Sequence, residues 1–311
     1  MGELRIGVVG TGHLGNYHLQ KYRKMPGVKI AAVADLIEEK ASQVAQMYHC
    51  PYFTNYRDMI GRVDAVSIAV PTVCHYEITK DFLKAGVDVL LEKPIATSLE
   101  EAKELVKLAK EHDLILQIGL IERFNPAILA LEKILDRPLF IEAHRLHPFF
   151  PRGIDVDVIL DLMIHDLDII LKFVNSPLLD VAAVGVSVLS EKVDIANVRL
   201  SFSNGCVANV TASRVTAKTM QKIRFFGLSG YHAVDYAKRE VVSLKRSSSG
   251  QIVPQEVKVT NHDPLEAEIA SFIESVITRS PARVSGEDAL PSLETACIIN
   301  EKIRQAAELI L

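Results

Sequence analysis

The chain has 311 residues, a net charge of −4 and 49% hydrophobic residues, with four cysteines and no tryptophan. That length allows two domains with substantial cores, and the mild acidity offers no basic field to nucleic acid or anionic lipid. No leader-like segment and no apolar run of bilayer length is visible, and Cys50, Cys74, Cys206 and Cys297 stand singly. The expectation is a cytoplasmic protein with reduced thiols, without a membrane or nucleic-acid partner.

Leu4 to Val9 reads as a short strand that runs into Gly10-Thr11-Gly12-His13-Leu14-Gly15 and on into a helix ending near Lys24. A strand, G-x-G-x-x-G and a helix in that order form the phosphate turn of a dinucleotide-binding unit. Gly10 permits the tight turn, Gly12 lets backbone approach a pyrophosphate, and Gly15 lets helix and strand close together, while the bare N–H groups of the helix face the anion. Thr11, His13 and Leu14 share that turn and count with the glycines as cofactor contacts. Val28 to Ala34 is a second strand, ending at Asp35, twenty residues past Gly15. A carboxylate there accepts the hydrogen bonds of an adenosine ribose diol. Leu36 follows, and no arginine stands beside Asp35 to pair a 2′-phosphate, so NAD is expected over NADP.

Ile37 to Tyr48 has a helical pattern, Pro51 to Phe53 an edge strand, Arg57 to Gly61 a helical turn, and Val63 to Val70 the apolar run of a strand buried on both faces. Pro71 to His75 opens a helix to Ala85, and Val87 to Leu91 is a strand followed by Glu92-Lys93-Pro94. Open α/β sheets hold ligands outside the carboxyl ends of their strands, so Pro71, Thr72, His75, Glu92 and Lys93 share a rim with the glycine turn. Ser98 with Glu101 makes a capping box for a helix to His112, and Leu114 to Gly119 is the sixth strand. The alternation ends near 121, which predicts a Rossmann domain, a doubly wound parallel sheet, over 1–121.

Residues 122–311 read as a second, α+β domain. Arg123-Phe124-Asn125-Pro126 begins a helix to Leu135, Val158 to Val174 is another, and Pro264 to Thr278 and Ala289 to Ile310 close the chain. Strand patterns occupy Leu139 to Leu146, Val181 to Leu189, Asp194 to Phe202, Cys206 to Ser213, Gln221 to Gly227, Tyr231 to Asp235, Glu240 to Lys245 and Glu256 to Val259. Turn signals such as Ser203-Asn204-Gly205 separate several of them, which predicts a large, mostly antiparallel open sheet backed by a helix.

Two groups of residues point to chemistry. Lys93, at a strand end beside the place of a nicotinamide, suits proton transfer or polarisation of a substrate hydroxyl. Asp161 and His165 are four apart in a helical pattern, so the carboxylate can orient the imidazole as a proton acceptor, with Asp168 a turn further on. Arg123, Arg145 and Arg152 carry forks that recognise phosphate or carboxylate, though the same residues also read as ordinary surface cations. His144 and His147 are badly spaced for one ion on a strand, and no metal site is expected.

With these motifs in place the chain resembles the Gfo/Idh/MocA family of NAD(P)-dependent oxidoreductases. The likeness rests on Gly10 to Gly15, Asp35, Pro71 to His75, Glu92-Lys93-Pro94, Arg123 to Pro126, Asp161 with His165, and Pro264 to Ile277. It implies a sheet-faced C-terminal domain that binds substrate and mediates oligomerisation as a homodimer or homotetramer, with Lys93, Asp161 and His165 catalytic. The run from Arg152 to Asp168 looks most like the branch of UDP-N-acetylglucosamine 3-dehydrogenases, which implies a nucleotide sugar whose diphosphate the arginines Arg123, Arg145 and Arg152 would help to hold, with Asn125 a further substrate contact. The reading is therefore hydride transfer between a secondary sugar hydroxyl and NAD. Its rivals are an NADPH-dependent imine or enone reductase and a non-catalytic dinucleotide or sugar sensor.

Overall fold

The computed structural model describes residues 2–150 and 155–308. The chain forms two units: one runs to Leu120 and is rejoined by Leu265–Leu290, the other comprises Ile121–Pro264 and the segment from Pro291 onward. Assigning all of 122–311 to the second domain therefore needs correction, because residues 265–290 belong with the first. Backbone hydrogen bonding supplies the reason. The N–H of Ile118 donates to the Val284 carbonyl (2.9 Å), Gln117 bridges to Ser285, and the Gln117 amide donates to the Glu268 carbonyl (2.9 Å). The returning segment thus covers polar groups that a sheet edge would otherwise leave open.

The first unit alternates β1 (Leu4–Val9), α1 (His13–Tyr22), β2 (Val28–Ala34), α2 (Glu38–Tyr48), β3 (Tyr52–Phe53), β4 (Ala65–Ile68), α3 (His75–Lys84), β5 (Asp88–Glu92), α4 (Leu99–Glu111) and β6 (Leu116–Gly119). The six strands lie in the order β3-β2-β1-β4-β5-β6, and their pairings are parallel. Strands β4, β5 and β6 are buried at every position, as helices on both faces require. The order reverses between β1 and β4, where such folds bind their ligands. At the start of α4, Ser98 Oγ accepts from the Glu101 N–H (3.2 Å), while the Glu101 carboxylate accepts from the Thr97 hydroxyl (3.0 Å).

The second unit contains α5 (Pro126–Leu131), β7 (Phe140–Leu146), a π-helical turn (Ile159–Met163) leading into α6 (Ile164–Val174), and the strands β8 (Leu178–Val186), β9 (Ile195–Phe202), β10 (Val207–Ser213), β11 (Met220–Phe226), β12 (Gly230–Asp235), β13 (Glu240–Arg246) and β14 (Ile252–Gln255). Helices α7 (Pro264–Thr278) and α8 (Gly286–Glu308) complete the chain. The eight strands are ordered β14-β13-β12-β11-β7-β10-β9-β8, all antiparallel except the β7–β10 pair. One face buries Ile141, Ala143, Val198, Leu200, Val210 and Phe225.

Two strand expectations move. The last strand is Ile252–Gln255 rather than Glu256 to Val259, because the turn closed by Ser247 and Gln251 (2.8 Å) starts the pairing at Arg246 and Ile252. Strand β8 stops at Val186 instead of Leu189. The Asp194 carboxylate collects the N–H groups of Val188, Leu189 and Ser190 at 2.8, 2.6 and 2.9 Å, which removes those donors from the ladder.

Candidate active site

In the first unit the three glycines of the turn differ in what surrounds them. Gly10 adopts φ +90°, and a Cβ there would lie 2.2 Å from the Ala69 carbonyl oxygen; a Cβ on Gly15 would lie 1.8 Å from the Gly10 oxygen. Both positions are closed to any side chain. Gly12, the N-cap of α1, has nothing within 4 Å of where its Cβ would be. Open space thus faces the first turn of α1, whose N–H groups have no intrahelical acceptors, and this is the cradle that a pyrophosphate needs. Asp35 is aimed at the same turn: its Oδ2 accepts from the Thr11 N–H (2.8 Å) and hydroxyl (2.9 Å), and its Oδ1 accepts from the Ile37 N–H (3.0 Å). A carboxylate retains lone pairs beyond those contacts for ribose hydroxyls.

The loop after β4 and the segment after β5 are joined by His75. Its buried ring lies between the Pro94 carbonyl (Nδ1, 2.7 Å) and the Val70 carbonyl (Nε2, 3.0 Å). Pro71, Thr72, Glu92 and Lys93 are therefore brought to one rim, while His75 itself is a brace within the protein. Lys93 is half-buried and follows the last residue of β5.

Beneath Lys93 lies a cluster that the sequence reading missed. Glu92 Oε1 is 2.9 Å from His18 Nε2, His18 Nδ1 is 3.1 Å from Ser67 Oγ, and Ser67 Oγ is 2.6 Å from the Tyr22 hydroxyl. Glu268 of α7 completes it, with one oxygen, one Glu92 oxygen and a His18 ring nitrogen all within 4.8 Å of one another. Neither Glu268 oxygen meets a hydrogen-bond partner. No local spacing announces this group, since its members come from the first helix, the interior of β4, the end of β5 and the returning helix.

In the second unit His165 is buried at the start of α6, and Asp161 is half-buried in the preceding π-helical turn, a feature frequent at functional sites. The residues flanking His165 are clamped. Arg145 Nε and Nη2 pair with the two Asp166 oxygens (2.9 and 3.2 Å), and its Nη1 reaches Glu122 (3.0 Å). Its guanidinium also lies 4.7 Å from the Tyr236 ring centre. Arg123 makes a second bidentate pair with Asp168 (2.6 and 2.7 Å). Asn125 caps α5 by accepting from the Ala127 N–H (3.0 Å) and donates to Glu122 (2.9 Å) and the Tyr236 carbonyl (3.1 Å).

These contacts give Arg145, Arg123 and Asn125, the residues expected to hold substrate, partners within the protein. Both edges of the buried Arg145 fork are engaged, and so is the bidentate edge of Arg123. Their geometry serves the framework around His165. Arg152 lies outside the described residues. Burial pushes the thiols of Cys50 and Cys206 up to about 11, far from the thiolate a nucleophile requires. No helix among the described residues is long and apolar enough to cross a membrane.

Comparison with known proteins bears on this geometry. Residues 4–120 match the family model of the oxidoreductase family with an NAD-binding Rossmann fold, and residues 137–232 match the GFO/IDH/MocA C-terminal domain. The chain is 38% identical over 291 residues to a UDP-N-acetylglucosamine 3-dehydrogenase of Acidithiobacillus ferrooxidans, covering 91% of this chain and 92% of that one. A solved structure of that enzyme superposes with a TM-score of 0.90, covering 97% of this chain and 98% of the other at 36% identity. A scyllo-inositol 2-dehydrogenase (NAD(+)) of Bacillus subtilis is 26% identical, with 97% and 94% covered.

Proposed function

The chain belongs to the Gfo/Idh/MocA family of NAD-binding oxidoreductases, and we propose from that premise that it oxidises a secondary hydroxyl of a UDP-N-acetylhexosamine to the ketone. The full-length match to a UDP-N-acetylglucosamine 3-dehydrogenase carries this choice of substrate. Lys93, Asp161 and His165 are all present to supply the proton chemistry. NAD, when bound, supplies the two-electron acceptor that takes hydride from the carbinol carbon. Gly12 and the first turn of α1 would hold its pyrophosphate, and Asp35 its adenosine ribose.

The protein's own work is on the proton. His165, steered by Asp161, takes the hydroxyl proton as the C–H bond breaks, and Lys93 stabilises the negative charge developing on that oxygen. Arg152 is a candidate for the diphosphate of the substrate. A second copy of the chain would cover the open face of the large sheet, where Val184 and Val186 are exposed beside Asn197, Arg199 and Thr211. Sedimentation velocity should then return a dimer or tetramer, and a monomer at micromolar concentration would contradict it.

The test is a panel of UDP-sugars, GDP-sugars and free sugars with NAD, followed by the absorbance of the reduced cofactor. UDP-N-acetylhexosamines should turn over fastest; a preference for free inositols or hexoses would overturn the substrate assignment. Lys93→Ala and His165→Ala should each lose ~10²–10⁴ in turnover while NAD still binds. Arg152→Ala should raise KM for the UDP-sugar with little change in kcat.

A further inference from the structure

The cluster beneath Lys93 has an unusual charge balance. Glu92 and Glu268 bring two carboxyl groups close together in the buried interior, at 8% and 0% exposure. Two carboxylates at such a distance and depth do not both ionise. The hydrogen bonds say which one does. Glu92 faces the His18 Nε2 at 2.9 Å, and one assignment satisfies every group in the chain: Tyr22 donates to Ser67, Ser67 donates to His18 Nδ1, and His18 Nε2–H donates to Glu92. Ionising Glu268 instead would leave a bare charge with no donor on either oxygen, the costliest arrangement available in a protein interior.

We propose that Glu268 is held as the neutral acid, that this leaves Glu92 as the carboxylate gripped by His18, and that Glu268 and His18 are thereby positioning residues for Lys93. The mechanical link is short. Glu92 is the last residue of β5 and Lys93 is bonded to it, so fixing the Glu92 side chain fixes the exit of the strand that presents the lysine. Burial first, and then the neighbouring Glu92 charge, push the Glu268 carboxyl well above its ordinary range, in accord with the neutral acid. Gly119 confines the grip from the other side, because a Cβ there would lie 2.8 Å from Glu92 Oε2. The proposal rests on Lys93 acting in catalysis, as read above.

Three measurements test it, the first without any activity. Carbon-13 NMR of glutamate-labelled protein should show a carboxyl group still protonated at pH 7 in the wild type and absent in Glu268→Gln; full ionisation of every glutamate at pH 7 overturns the proposal. Next, Glu268→Gln keeps a neutral isostere and should hold kcat within about threefold, whereas His18→Leu and Gly119→Ala should each lower kcat roughly 10- to 100-fold with an NAD Kd changed by less than about threefold. Glu268→Leu, which removes the polar neutral group, should lower kcat roughly 10-fold; equal kcat in Glu268→Gln and Glu268→Leu, whether both retained or both lost, overturns the proposal, and so does stoichiometric metal in the purified protein. So does unchanged kcat in both His18→Leu and Gly119→Ala. If Lys93→Ala retains full turnover, the catalytic reading fails while the protonated-carboxyl signal persists, so the two failures are told apart.

Discussion

One buried cluster in each unit handles its carboxyl groups in the opposite way from the other. In the second, Arg145 sits between Asp166 and Glu122, and Arg214 pairs with Asp194 at 2.8 Å, so each buried carboxylate named here has a guanidinium. In the first, Glu268 has no cation, and the arrangement closes only if the acid keeps its proton. Paired charges define one rigid geometry and lose most when one partner is removed; a protonated acid leaves neighbouring charge free to be set by a single hydrogen bond. The second unit thus uses ions to fix the helix bearing His165, and the first uses a proton to fix the strand end bearing Lys93.

The sharpest way to break this contrast is Arg145→Met, which leaves Asp166 and Glu122 buried without their cation. It should cost ~3–5 kcal/mol in urea unfolding, and by contrast Glu268→Gln should cost little. Next in size is Gly15→Ala, whose added carbon meets backbone rather than a movable side chain. It should destabilise by ~1–3 kcal/mol. Gly12→Ala, facing open space, should leave the melting temperature in place yet weaken NAD binding in calorimetry, because the methyl group fills the cradle.

The pH limbs of stability should also separate the units. A carboxyl group with a raised folded pKa takes up protons on folding, so Glu268 stabilises at low pH and loses that contribution as pH rises above the ordinary glutamate value of about 4.3. Asp194 has the opposite sign. Burial alone would raise it, but donation from the Ser190 hydroxyl, the Leu189 N–H and Arg214 outweighs burial and holds it well below the usual range. Its contribution is present above about 3.9 and is lost as pH falls further. Glu268→Gln should therefore flatten the alkaline decline, and Asp194→Asn the acid one, each by at most about 1.4 kcal/mol per pH unit. An unchanged alkaline limb in Glu268→Gln would remove the contrast. The smallest effect belongs to Ser98→Ala, about 1 kcal/mol from the lost cap of α4.

Where the chemistry is local, the sequence was legible. The glycine turn, Asp35 and the parallel strands of the first unit follow from spacing within a few dozen residues. The partners of the arginines were not legible, for the converse reason. Arg123, Arg145 and Arg152 look alike in sequence, and nothing near Arg145 shows that Glu122 and Asp166 converge on it from a 3₁₀ turn and a helix.

Periodicity and motif spacing determined which elements form, which faces are apolar, and which residues could handle a dinucleotide and a proton. These are short-range properties, set by 3.6- and two-residue repeats and by backbone rules at glycine. The tertiary structure alone decided that residues 265–290 rejoin the first unit, that the Arg145 and Arg123 forks are engaged by carboxylates, and that Glu268 lies unpartnered beside Glu92. The physical reason is that an apolar stripe or a charged side chain states what it needs to meet, while its partner, 151 residues away for Gln117 and Glu268, is chosen only when the chain closes on itself.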